Sequence, residues 1–299
     1  MKEASLFYNN CMLCGRKCGV DRSKNFGFCK SGSTPTVSRA GLHMWEEPLI
    51  SGSRGSGTVF FSSCSLGCIF CQNADISRRP VGRYVKEGEL ADLMLSLEGQ
   101  GAHNINFVTP THFAPSVAEA IKIARGRGLS IPTVYNSGGY DSLHALEILD
   151  GHIDVYLADY KFVREKTARE LAYSENYPEI AKAAIAEMVR QQPTPVIEDG
   201  IMKRGVIVRV LLLPGHVAEA KLIVKYLYDT YGDSIYISLM SQYTPVPGMA
   251  GALSRKVTRE EYRELVDYAV RLGVENAFIQ DLSSSGEEYI PDFDTAPLK

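Results

Sequence analysis

From about residue 56 onward the chain alternates two hydrophobic patterns. Short apolar runs at 58–62, 104–108, 131–135, 154–158, 205–211, 234–239 and 276–280 are bounded by Gly, Pro, Asp or Ser, as buried parallel strands are. Between them the apolar residues recur with a helical period. Leu90, Leu93, Met94 and Leu97 mark the first helix, Ala220, Ile223, Val224, Leu227 and Tyr228 a later one, and Tyr262, Leu265, Val266, Ala269 and Val270 the last. Thr258 with Glu261 spells a capping box at the start of that last helix, and Gly273 its stop. Ser116 with Glu119 spells another box before Val117, Ala120 and Ile121. Such alternation builds right-handed βαβ units on a parallel sheet, and the number of units predicts an α/β fold, a partial (β/α)6-type barrel.

Ligands bind these sheets beyond the carboxyl ends of the strands. The residues that fall there are Cys64 after the first run, 109–112 after the second, 136–139 after the third, and Asp159 and Lys161 after the fourth. Pro214 to His216 follow the fifth run, and Gln242 and Tyr243 the sixth. The stretch 286–293 is expected either to line the barrel or to form an ordered tail.

Residues 1–50 break the pattern. They carry no sustained periodicity but hold Cys11, Cys14, Cys18 and Cys29, so the chain divides into a small Cys-rich, metal-binding extension at 1–50 and a barrel at 51–299. With 45% hydrophobic and 22% charged residues the composition is ordinary for a globular protein. A formal net charge of -3 and scattered Lys and Arg argue against a nucleic-acid binder. No apolar run approaches the ~20 residues of a membrane span, and the N-terminus has no signal-peptide core. A soluble cytoplasmic protein is expected. Its thiols stay reduced there, so the seven cysteines, all within the first 71 residues, point to metal chemistry rather than disulfides.

Cys64, Cys68 and Cys71 have spacing C-x3-C-x2-C on a loop directly after a strand. Soft thiolates select zinc, copper(I) or iron–sulfur. A structural zinc site wants four ligands, so the zinc alternative needs a further one such as His43. Three thiolates on a four-iron cube leave one iron open to a chelating cofactor.

This loop, with Phe70 at the aromatic position before the last cysteine, resembles the radical S-adenosylmethionine superfamily, and its context FFSSCSLGCIFCQN resembles the branch related to pyruvate formate-lyase-activating enzymes. The resemblance implies a radical SAM barrel and a [4Fe-4S] cluster on Cys64, Cys68 and Cys71, with S-adenosylmethionine chelated to the open iron. It further implies reductive cleavage to methionine and a 5′-deoxyadenosyl radical that abstracts hydrogen. The family's Gly-Gly-Glu stretch is replaced here by Thr109, Pro110, Thr111 and His112, so either the hydroxyls of Thr109 and Thr111 or exposed carbonyls are expected to replace its contact with the methionine amino group. His112 reads either as a cofactor contact or as a helix-entry residue. Asn136 and Ser137 match the start of the family's Asp-Thr-Asn-Gly segment. Asp159 and Lys161 match its Asp-Leu-Lys segment, implying Lys161 on the methionine carboxylate and Asp159 on ribose or a cation. Arg209, a charge within an apolar strand, demands an anion, either a ligand's carboxylate or a partner in a structural salt bridge, and the family has a similar Arg there. Gln242 or Tyr243 stands where the family tends to have a His.

Cys11, Cys14, Cys18 and Cys29 form a closed set of four thiolates, suited to structural zinc or to a second iron–sulfur cluster, with a metal-free reduced form as the remaining alternative. Relatives of this kind also share Glu46-Glu47-Pro48 and Gly55-Ser56-Gly57. The partners implied are a flavodoxin- or ferredoxin-like electron donor and a substrate, for which a glycyl-radical enzyme is one version and another protein or a small molecule the other. Two rival classes are a non-catalytic iron–sulfur electron carrier and a zinc-stabilised binding module.

Overall fold

The structure, a computed structural model, describes residues 4–280; the stretch 286–293 lies outside them. A short 3-10 turn at Ala4–Tyr8 and a run of tight turns lead into β1 (Thr36–His43), α1 (Pro48–Ser51), β2 (Ser56–Phe61), α2 (Ala74–Ser77), β3 (Arg83–Tyr84) and α3 (Glu87–Gly99). There follow β4 (Ile105–Val108), α4 (Ala114–Gly126), β5 (Thr133–Ser137), α5 (Leu143–Leu149), β6 (Val155–Asp159), α6 (Glu165–Ala172) and α7 (Tyr177–Gln191). The chain continues through β7 (Val196–Glu198), β8 (Ile201–Leu211), α8 (Val217–Tyr231), β9 (Tyr236–Met240), α9 (Arg259–Leu272) and β10 (Ala277–Ile279).

Strands β2, β4, β5, β6, β8, β9 and β10 pair parallel and in sequence order. Each anticipated apolar run forms one of them. Among the described residues the sheet does not close on itself. It is an open barrel flanked at its leading edge by β1 and β3, both antiparallel additions. The sheet therefore crosses the boundary drawn at residue 50, because β1 pairs with β2 along most of its length.

Strand alternation separates two cores. Tyr156 and Ala158 of β6 and Val206, Val208 and Val210 of β8 face outward under the helices. Val155, Leu157 and Ile207 face inward with Val134 and Met202. The concave face is plugged by α1, whose fully buried Ile50 packs into this inner cluster. Pro48 opens that helix, and the amide of Asn104 bonds the Ile50 carbonyl at 2.7 Å.

Thr258 and Glu261 do form a reciprocal capping box on α9, and Gly273 ends that helix at φ 87°. The box expected at Ser116 does not form. A 3-10 turn at Thr111–Phe113 feeds directly into α4, whose first turn contains Pro115. Ser116 therefore sits inside the helix, and its hydroxyl bonds Tyr8 Oη and Glu87 Oε1. The helix pair α6–α7 between β6 and β8 had no periodic signal singled out beforehand.

Candidate functional site

The same parity that buries Ile207 turns Arg209 and Leu211 of β8 inward. It does likewise for Phe60, Val108, Asn136, Asp159 and Met240 on the other strands. These residues line a cavity of about 630 Å³ at the carboxyl end of the sheet. Cys64, Cys68 and Cys71 line the same cavity, with Phe70, Thr109, Ser137, Lys161 and Gln242.

The three-cysteine loop leaves β2 through Ser63, a non-glycine residue at φ 72°; Thr109, after β4, is another at φ 59°. Two left-handed conformations at neighbouring strand ends hold the loops against the cavity at some cost in backbone energy. Burial pushes the Cys68 thiol up to about 12, with the Lys161 ammonium drawing it down. The Leu66 amide donates to Cys64 Sγ at 3.4 Å and the Ser77 hydroxyl to Cys71 Sγ at 3.3 Å. Soft donors at one end of a cavity, two of them already accepting hydrogen bonds and a cation nearby, suit an iron–sulfur cluster on Cys64, Cys68 and Cys71. Phe70 is buried behind the loop against Phe162 and Tyr243.

A charge network lines the cavity as well. Asp159 accepts from Arg209 Nε at 2.7 Å and from Lys161 Nζ at 2.6 Å. Arg209 Nη2 donates to Asn136 Oδ1 at 2.6 Å, and Nη1 lies 3.5 Å from Glu46 Oε2. The Asn136 amide in turn donates to Glu46 Oε1 at 3.1 Å. Burial alone would raise the Asp159 carboxyl, but Arg209 and Lys161 outweigh it and hold it below its ordinary range. The anion that the Arg209 sequence context demanded is thus supplied from within the chain, by Asp159 and Glu46. Beside them Glu47 is buried and accepts from Ser238 Oγ at 3.0 Å; burial pushes its carboxyl up to about 7.

Tyr177 of α7 secures the rim. Its hydroxyl lies 3.0 Å from both the Gly138 and the Asp159 carbonyls and accepts from the Lys161 amide at 2.9 Å. The close approach of these loops requires Gly139, where a Cβ would meet the Asp159 carbonyl oxygen at 2.2 Å.

Two of the anticipated residues lie outside the cavity. Thr111 is buried, close to the Tyr135–Asp141 pair. His112 is fully buried with Nε2 3.0 Å from the Ser62 carbonyl, and burial with nearby Arg22 pushes it down to about 3. The 3-10 turn carries both side chains under the rim, so of the two threonines expected there only Thr109 lines the cavity. Ser137 lines the cavity, but its hydroxyl donates to Asp141 Oδ2 at 2.7 Å. Gln242 is held through Gln72 and Gln280. Sequence reasoning missed Glu46, Glu47 and Tyr177 as site residues. The first two had a signal in the shared Glu46-Glu47-Pro48 triplet; Tyr177 had none.

The N-terminal cysteines gather around tight turns. A Cβ on Gly27 would stand 3.3 Å from Cys18 Sγ and 3.6 Å from Cys29 Sγ. Among the described residues no three His, Cys, Asp or Glu side chains stand close enough to share one ion. Arg22 is buried beside this set at 2% exposure. Its Nη1 lies 3.7 Å from Cys11 Sγ, its remaining donors reach the carbonyls of Ser31, Gly32 and His112, and none of the described carboxylates pairs with it. A buried guanidinium without a carboxylate is compensated well by thiolates, so the donor chemistry fits a negatively charged metal–thiolate group.

No family model matches the chain. An uncharacterised protein of Methanocaldococcus jannaschii, MJ0674, is 27% identical over 283 residues, which is 91% of this chain and 78% of that one. SuiB of Streptococcus suis, in its structure bound to S-adenosylmethionine, superposes with a TM-score of 0.50 at 12% identity over 75% of this chain. SuiB bound to its precursor peptide SuiA gives 0.50 at 12% over 74%. The chain spans about half the length of SuiB, 50% and 48% in the two structures. The likeness to SuiB is one of fold: the two chains share the open, mostly parallel barrel.

Proposed function

We propose that this chain is a radical S-adenosylmethionine enzyme. The observation that carries the reading is that Cys64, Cys68 and Cys71 line the same cavity as Lys161, Asp159 and Arg209. The shared fold with a protein that binds S-adenosylmethionine supports it. In this reading Cys64, Cys68 and Cys71 hold a [4Fe-4S] cluster, which when bound supplies the electron that cleaves S-adenosylmethionine to methionine and a 5′-deoxyadenosyl radical.

The chain's own residues bind and orient. Lys161 offers a cation to the methionine carboxylate, and Arg209, itself paired with Asp159 and Glu46, holds Asp159 and through it the Lys161 ammonium in position. Asn136 turns its amide toward Glu46 and its carbonyl toward Arg209, so it holds the guanidinium in place from the other side. Thr109, which lines the cavity, would meet the amino group with its hydroxyl. Phe60, Leu211, Met240 and Tyr243 keep the cavity walls apolar and limit water near a reactive intermediate. Hydrogen abstraction from a protein substrate such as a glycyl-radical enzyme, with a flavodoxin- or ferredoxin-like donor in the cytoplasm, is the finer version that the sequence resemblance supports. Among the described residues no helix is long and apolar enough to cross a membrane. For Cys11, Cys14, Cys18 and Cys29 the reading is a metal–thiolate group, zinc or a second cluster, around which their side chains would have to draw closer together beside Arg22. An iron–sulfur electron carrier would have no use for a cavity of about 630 Å³ lined by paired cations.

The test is spectroscopic. Anaerobically reconstituted and reduced protein should show a paramagnetic cluster signal that changes when S-adenosylmethionine is added. A signal indifferent to S-adenosylmethionine would favour the carrier.

A further inference from the structure

A side chain of the N-terminal cysteine segment reaches into the later cysteine loop. Arg16 lies between Cys14 and Cys18 in sequence. Its Nε donates to the Ser65 carbonyl at 3.0 Å and its Nη2 to the Leu66 carbonyl at 2.8 Å, both inside the Cys64–Cys68 loop. The same guanidinium reaches the Ala172 carbonyl at 3.1 Å and the Tyr173 carbonyl, the open end of α6. That helix end also holds the loop directly, because the Ile69 amide donates to the Leu171 carbonyl at 2.9 Å. A cation at a helix C-terminus is favourably placed in its own right.

The guanidinium carbon stands 3.8 Å from the centre of the Phe28 ring, next to Cys29, and 5.5 Å from that of Tyr140. A Cβ on Gly67 of the loop would touch the Phe28 ring at 3.5 Å. Arg16 itself is anchored by its neighbours. The Gly15 amide donates to the Tyr140 carbonyl at 3.0 Å, the Asn176 amide donates to the Gly15 carbonyl at 3.2 Å, and Cys14 bridges to Asp141. Gly15 must be glycine, since a Cβ would stand 2.4 Å from the Tyr140 ring.

A planar donor fork that satisfies carbonyls of a metal-binding loop and of a helix end at once fixes their relative position, as a point-charge lysine does not. We propose that Arg16, with Phe28, is the positioning residue that shapes the Cys64–Cys68 loop for its cluster, so that the N-terminal cysteine segment controls how tightly the later cluster is held. This rests on the reading that the later loop carries a cluster.

The test uses the full chain, reconstituted anaerobically. It follows the signal component that responds to S-adenosylmethionine, so the N-terminal set does not confuse the readout. Under an iron chelator Arg16→Ala should lose this component about ten-fold faster or more than the unaltered chain, since hydrogen bonds from a charged group are removed. Its line shape should broaden as the loop samples several arrangements. Arg16→Lys should recover only part of the loss. Phe28→Leu, which keeps the guanidinium but removes its aromatic face, should give a smaller acceleration and decides the matter should Arg16→Ala fail to fold. Chelator sensitivity and line shape unchanged in Arg16→Ala, or in both Arg16→Lys and Phe28→Leu where Arg16→Ala does not fold, would overturn the proposal. Absence of any responsive component in the unaltered chain would instead overturn the function on which it rests.

Discussion

Replacing Arg209 by alanine tests the charge network directly. The side chains of Arg209 and Asp159 are 13% and 17% exposed, so their 2.7 Å contact is shielded from most solvent screening. Removing one partner of a buried pair typically costs about 3–5 kcal/mol, chiefly by stranding the other charge. Lys161 remains 2.6 Å from Asp159 and limits that stranding, which places the expectation at the lower end, near 3 kcal/mol. For a chain of 299 residues that corresponds to a fall in Tm of roughly 5 °C.

The loss should depend on pH with a definite sign. Asp159 is held below its unfolded value, so its stabilisation is present above the unfolded pKa and disappears as pH falls through the folded one. The acid limb of a stability–pH curve should therefore move to higher pH in Arg209→Ala. Urea unfolding from neutral to acidic pH, with Asp159→Asn and the double variant completing the cycle, measures both effects. The coupling energy should fall between about 1 and 3 kcal/mol. A single-variant loss below about 1 kcal/mol, or strictly additive effects, would show that the network is solvated and contributes little.

Glu47 carries the opposite sign. Its carboxyl is raised from 4.5 to about 7, so the folded state binds the extra proton and stability should fall as pH rises across that window, by about 1.4 kcal/mol per unit at most. In Glu47→Gln that slope should vanish, and an unchanged slope would assign the titration elsewhere. Tyr177→Phe removes the hydroxyl that ties the Gly138 and Asp159 carbonyls to the Lys161 amide. A loss of about 1–3 kcal/mol in denaturant unfolding is expected, and a neutral result would mean that the rim holds itself.

Much of this arrangement was legible in the sequence because strand parity is a simple rule. Once 205–211 reads as a strand with Val206, Val208 and Val210 outward, Arg209 must face the concave side, and the same reasoning turns Asp159 inward from β6. Parity stops at strand ends. There a single 3-10 turn removed Thr111 and His112 from the cavity, and the same turn, running into α4 at Ala114, put Ser116 inside a helix rather than at its cap. Contacts between segments far apart in sequence carry no periodic trace. Arg22 beneath the cysteines, Arg16 across to Ser65 and Leu66, and Tyr177 beneath the rim all belong to that class. Glu46 and Glu47 were visible as residues, but their role follows from α1, a helix of 4 residues too short to show amphipathic spacing, which turns into the barrel and brings both carboxylates to Arg209 and Ser238.

The central claim is most directly tested by product analysis. Anaerobically reconstituted chain, reduced with dithionite and given S-adenosylmethionine, is expected to release 5′-deoxyadenosine and methionine in equal amounts, and Cys68→Ala to release none. Formation of 5′-deoxyadenosine by Cys68→Ala at the rate of the unaltered chain, or its absence from an unaltered chain shown to carry the cluster, would contradict the account.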